Sequence, residues 1–171
     1  MMMNDVKKMM WCIYIFFRIF LSQGSQKHHE GNRRVLNNVN MLRRSTTLSP
    51  NSTFVFIIGI CKEWESGRAS HGDIALEGAL RRSCGIPGEH ICHVKDEQAT
   101  KSNIIRKLKH MLGNTDVGDT LELYFGGHGV PQGVATVDGK LWKYSDIIQQ
   151  IEEQFGGDRA VFLFDTCHAG W

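Results

Sequence analysis

Leu121-Glu-Leu-Tyr-Phe-Gly-Gly-His128-Gly129 and Val161-Phe-Leu-Phe-Asp-Thr-Cys167-His-Ala-Gly170 are the two stretches on which the reading of this chain turns. In each, apolar and aromatic side chains run for several positions and then give way to small residues around one reactive side chain, a histidine in the first and a cysteine in the second. Such a run is a buried strand that ends in a turn. In open α/β sheets, reactive groups gather at the carboxyl ends of neighbouring strands, where loops leave the sheet. The two stretches therefore predict a parallel sheet that presents His128 and Cys167 side by side.

Upstream, Thr53-Phe-Val-Phe-Ile-Ile-Gly-Ile-Cys61 is the continuous apolar run of a central parallel strand. A polar loop from Lys62 to His71 leads to Gly72-Asp73, which opens a helix with Ile74, Leu76, Ala79 and Leu80 inward. That helix ends near Cys84-Gly85, with Arg81 and Arg82 in its last turn, where the dipole favours cations. His90-Ile-Cys-His-Val94 is a short second strand. Ile104, Ile105, Leu108, Met111 and Leu112 share one face of the next helix, which Gly113-Asn114 stops. Thr120 to Phe125 is the third strand, and Ala135 to Trp142 a hairpin whose Asp138-Gly139 suits a type I′ turn. A helix from Tyr144 to Phe155 buries Ile147, Ile148 and Ile151, and Ala160 to Phe164 forms the fourth strand. Alternating strands and helices give an α/β fold, and right-handed crossovers give the strand order 2-1-3-4.

The 171 residues are 42% hydrophobic and 22% charged, which suits one domain with a core of its own. The net charge of +2 hides a split, because residues 1–50 hold eight Lys/Arg against two Asp/Glu while residues 51–171 hold twelve against sixteen. The basic excess thus belongs to a leader and linker at 1–50, and nucleic acid is not an expected partner of the domain at 51–171. Residues 9–21 are apolar after Lys7 and Lys8, but Arg18 interrupts them and they fall short of the roughly 20 residues that span a bilayer. Membrane contact there is not favoured; a secretory or membrane-associated protein is the alternative if this segment acts as a leader. Five cysteines with no CxxC spacing argue against a disulfide framework and a zinc ribbon, and point to a reducing, cytoplasmic compartment.

Cys167 follows its strand directly, and Ala169 and Gly170 after it would let a peptide approach. The thiolate is the competent nucleophile, and adjacent strands lie about 4.8 Å apart. An imidazole on the next strand end can therefore pass a proton to the leaving amine. The amides of Gly129 and Cys167 are the candidate oxyanion donors. Against this stands the plainer reading that a strand-end cysteine is packing and a histidine among glycines bonds only to backbone. Zinc on His128, Cys167 and His168 lacks a fourth ligand at a usual spacing, so no metal site is assigned. A cysteine phosphatase loop would need an arginine after the cysteine, and Trp171 ends the chain.

From about Thr53 to Trp171 the chain resembles the caspase-like cysteine peptidases, most closely the metacaspase and paracaspase branch. The resemblance rests on Gly72-Asp73, on Asp96 to Ile104, on Tyr124-Phe-Gly-Gly-His-Gly129 and on Asp165-Thr-Cys-His-Ala-Gly170, in that order. It implies a three-layer caspase-like fold and a Cys167–His128 dyad acting on protein or peptide substrates. It implies Asp165 and Asp73 as the acidic residues that bind Arg or Lys before the scissile bond. Gly126 stands where the family commonly has a serine. No cofactor is implied for the chemistry; calcium is associated with metacaspases, and nothing in this sequence supports it here. The family's domain continues through two further strands, so the sequence implies a domain with its final strands missing. Such a chain is expected to self-associate through its exposed fourth strand and to turn over slowly. The alternative to a peptidase is an inactive caspase-like fragment or pseudoenzyme that binds a partner.

Overall fold

The computed structural model describes residues 49–60 and 72–167. The apolar segment 9–21, nearly all of the polar stretch 22–50, the loop 62–71 with Cys61, and His168, Ala169 and Gly170 lie outside the described residues. Strand β1, Thr53–Gly59, is buried along its whole length. It has parallel neighbours on both sides, β2 (Ile91–Lys95) and β3 (Thr120–Gly127). A further strand, Arg159–Thr166, runs parallel to β3 on its far side. It is the seventh in chain order and is called β7. The sheet order β2-β1-β3-β7 is the 2-1-3-4 arrangement expected from the crossovers, with β7 as the fourth strand.

Alternation along the strands sends successive side chains to opposite faces. Phe54, Phe56, Ile58, Leu121, Leu123 and Phe125 meet α2 (Lys101–Leu112) and α3 (Tyr144–Gln154) through Ile104, Leu108, Ile147 and Ile151. Val55, Ile57 and Tyr124 meet Leu76 and Leu80 on the other face. Leu76 belongs to α1 (Gly72–Ala79), and Leu80 opens the π-helical turn Leu80–Cys84 that continues it. Gly85, left-handed at φ 68°, closes that turn by donating its N–H to the Leu80 carbonyl. Sheet and flanking helices make three layers. Among the described residues no helix is long and apolar enough to cross a membrane.

Two local expectations are corrected. Ile74 is 49% exposed, and the inward place at the start of α1 belongs to Asp73, 4% exposed. A carboxylate fills it because a polar partner waits beneath, which apolar periodicity cannot register. The small antiparallel sheet β4 (Gly129–Val130), β5 (Gly133–Ala135), β6 (Leu141–Lys143) contains the expected hairpin, but its turn is not type I′. Gly139 has φ 70° while Asp138 keeps a negative φ, and Gly139 N–H donates to the Thr136 carbonyl at 2.9 Å. This is a type I turn followed by a left-handed glycine. Asp138 stays right-handed and accepts from the Thr136 hydroxyl at 2.6 Å and from the Lys101 amide at 3.0 Å, which ties the hairpin to the start of α2. Those bonds hold its carboxyl far below the usual range.

Glu122, in the middle of β3, is 2% exposed, and its Oε1 has no hydrogen-bond partner. Burial pushes its carboxyl up from 4.5 to about 7, against a smaller opposing pull from the Arg159 guanidinium. The folded state therefore holds the proton more tightly than the unfolded chain, so stability falls as pH rises from 4.5 toward 7 and levels off above. The loss should approach about 3 kcal/mol, and Glu122→Gln should remove it. Urea unfolding at pH 5 and pH 8 measures this: the variant should gain on the wild type only at the higher pH.

Candidate active site

Across the sheet, Gly59 of β1 pairs with Gly126 of β3, Gly126 with Asp165 of β7, and Gly127 with Thr166. The ladder ends on that pair, and His128 and Cys167 are the residues that follow it directly on β3 and β7. Residues directly paired across strands share a face, and the face of Tyr124 and Leu163, which Asp165 shares, is the one that α1 covers. His128 is half-buried; Cys167 is a free, exposed thiol.

The chain after His128 passes tightly over the end of β7. A Cβ on Gly129 would run into the Cys167 carbonyl and the Thr166 side chain, so only glycine fits. Ala135 N–H donates to the His128 carbonyl at 2.9 Å, while Gly129 pairs with Val134. That makes Gly129–Val134 a non-hydrogen-bonded pair of the antiparallel ladder, and the Gly129 N–H turns away from β5. Gly129 is thus brought against the Cys167 backbone.

Asp73 also reaches this end of the sheet. Its Oδ2 lies over Gly59, where any Cβ would collide with it. Gly126 occupies the row between Gly59 and Asp165 and carries no side chain to fill it. The Tyr124 hydroxyl donates to Asp165 Oδ2 at 3.2 Å, and it would stand 2.9 Å from a Cβ at position 126. The two carboxylates therefore stand on one face on either side of Gly126, and the Tyr124 hydroxyl that covers this glycine bonds to one of them.

Two residues of this cluster were not singled out from the sequence, His93 and Glu77. The His93 ring, its side chain 6% exposed, has Nε2 at 2.8 Å from Asp73 Oδ2 and Nδ1 at 2.7 Å from Glu77 Oε2. Glu77 also accepts from Arg81 at 3.0 and 3.1 Å, with Lys95 Nζ at 4.0 Å. Burial pushes the Asp73 carboxyl up, but the His93 hydrogen bond, the Ile74 amide and the nearby His93 charge bring it below its ordinary value. Glu77 is lowered first by its hydrogen bond from His93. The i, i+4 spacing of Asp73 and Glu77 already puts both acids on one helix face; that β2 sets an imidazole between them is a matter of sheet register. Among the described residues no group of three or more His, Cys, Asp or Glu is placed to hold a metal ion.

Because both carboxyls are lowered in the folded state, their contribution to stability is present above the unfolded values near 4 and is lost as pH falls through the folded ones. Asp73→Asn should therefore be less stable than the wild type at pH 7, with the difference shrinking at pH 3. Chemical denaturation at the two pH values gives the comparison, and a difference that is unchanged would mean that the cluster's charge does not contribute.

A search among curated proteins finds no match to this chain. The family model of the caspase domain matches residues 75–170. The matched stretch takes in β2, α2, β3, the His128-Gly129 turn and Cys167, and leaves β1 and Asp73 ahead of it. It covers more than half of the chain, and it falls on a parallel α/β sheet whose strand ends gather one histidine and one free, exposed cysteine: the chain belongs to the caspase domain family of cysteine peptidases.

Proposed function

We propose that this chain is a cysteine endopeptidase of the metacaspase and paracaspase kind, which cleaves after Arg or Lys with Cys167 as nucleophile and His128 as its proton carrier. The observation that supports the reading is the β3–β7 register, which ends on the Gly127–Thr166 pair, one residue before both His128 and Cys167. The Cys167 thiolate adds to the scissile carbonyl carbon, and the C–N bond breaks as His128 gives a proton to the leaving amine. A water molecule, giving its proton to His128, then attacks the thioester carbonyl carbon; the C–S bond breaks, the acid leaves, and the Cys167 thiolate is restored. The amides of Gly129 and Cys167 are the donors for the carbonyl oxygen as it gains charge. No cofactor takes part in these steps, and a reducing compartment such as the cytoplasm suits the free thiol.

Selection of a basic residue is assigned to Asp165 and Asp73. A guanidinium between them would make charge-assisted hydrogen bonds, whereas an acidic side chain would meet two like charges. Where the family commonly has a serine, Gly126 leaves room that the Tyr124 phenol enters, and its hydroxyl is the one that reaches Asp165. The pocket hydroxyl is thus supplied from the neighbouring row of the same strand face.

Covalent labelling separates this reading from that of an inactive, partner-binding domain. An arginyl acyloxymethyl ketone should alkylate Cys167 in preference to its aspartyl counterpart, located by peptide mass spectrometry. His128→Ala should slow that labelling by about 100-fold or more, and Asp165→Asn should cut the arginyl preference by about tenfold or more. Cys84 and Cys92 are half-buried, and burial raises the Cys92 thiol, so both should label slowly. Labelling indifferent to His128 and to the arginyl group would leave the partner-binding reading instead.

A further inference from the structure

The acidic pocket has a support of its own beneath it. A carboxylate can only accept hydrogen bonds. The two ring nitrogens of His93 stand 2.8 Å from Asp73 Oδ2 and 2.7 Å from Glu77 Oε2, so the ring bridges the two acids. The described charged groups around it are Asp73 and Glu77 of α1, Arg81 of the turn that continues α1, and Lys95 of β2. β1, which lies alongside β2, has no titratable side chain. Arg81 and Lys95 both approach Glu77. Contacts thus run from Arg81 and Lys95 through Glu77 and His93 to Asp73, whose carboxylate lies over Gly59.

We propose that His93 is the positioning residue of the basic-side-chain pocket: by bridging Glu77 and Asp73, it locks the Asp73 carboxylate over Gly59 in the orientation that receives a guanidinium. Ordering a side chain at the moment of binding weakens affinity, and a carboxylate already held avoids that loss. The inference deepens the assignment of Asp73 to substrate recognition and rests on it.

Two substitutions separate positioning from mere structural support. Asn at position 93 carries its amide nitrogen near the place of Nδ1 and keeps the partner Glu77; Gln carries it near Nε2 and keeps the partner Asp73. Both lose the ring and one of its two hydrogen bonds, so both should melt below the wild type. With agmatine as the probe, titrated into the full chain and followed by NMR, His93→Gln should bind within about threefold of the wild type and His93→Asn at least about tenfold more weakly, the size of one lost hydrogen bond to a charged group. Equal affinities in the two variants would overturn the positioning role.

Asp165→Asn is the control for the pocket itself. Agmatine binding that weakens in Asp165→Asn but not in His93→Asn rejects the His93 inference alone; no agmatine binding by the wild type, or none that depends on Asp165, rejects the pocket with it. Should His93→Asn fail to fold, His93→Leu, which keeps the bulk and drops both hydrogen bonds, takes its place, and agmatine binding equal to that of His93→Gln would overturn the clamp.

Discussion

The parallel register that brings three strands to an end in one row is the constraint on which the site depends. Gly59, Gly126 and Asp165 are consecutive neighbours across β1, β3 and β7, and two of the three carry no side chain. Parallel strands end in the same direction, so their loops leave from one edge and whatever they carry converges there. The missing Cβ atoms then decide what can enter. Gly59 admits the Asp73 carboxylate, Gly126 admits the Tyr124 phenol, and Gly129 admits the backbone of Cys167. A methyl group at any of the three would meet another atom at under 3 Å, which interiors at crystal-like density do not absorb without moving backbone.

Two buried acids show how environment separates a supported charge from an unsupported one. Asp73 and Glu122 are 4% and 2% exposed and lie on the face that α1 covers. Asp73 has an imidazole and a helix amide, and the burial penalty is more than cancelled. Glu122 has a distant guanidinium and an Oε1 with no partner, and the penalty stands. An unpartnered buried charge is among the costlier features a core can hold. The first acid belongs to a connected cluster at the strand ends, where a ligand could use it; the second lies in mid-strand.

The caspase-domain assignment and the local geometry support each other at different scales. The family match covers residues 75–170, from within α1 to just past β7, and the strand order accounts for why the ends of two strands far apart in the chain lie side by side. The small sheet β4-β5-β6 adds a local reason: it draws the chain away immediately after His128, so that Gly129 crosses the end of β7 instead of extending β3. The hairpin is in turn tied to α2 through Asp138, which fixes the direction in which the chain leaves His128.

Much of this was determined by sequence alone. The apolar runs at 53–60 and 121–125 and the helical face of Ile104, Leu108 and Met111 are local patterns with one physical outcome, a covered strand or an amphipathic helix, so the elements and their order were legible. The place of His128 and Cys167 just past two strand ends was legible too, because small residues that follow an apolar run mark where a strand stops. What only the tertiary structure decided is which side chain stands beneath which. Ile74 had the better claim to the core by hydropathy, yet Asp73 took the place because His93 lies under it, on a strand whose register no local window contains. The hairpin turn differs for the same reason: Asp138 is bound by Lys101, which lies in another element, and so does not adopt the left-handed conformation its Asp-Gly pair suggests. Hydrophobic period and turn chemistry act between neighbours in the chain, while the partners of a buried charge come from wherever the sheet brings them.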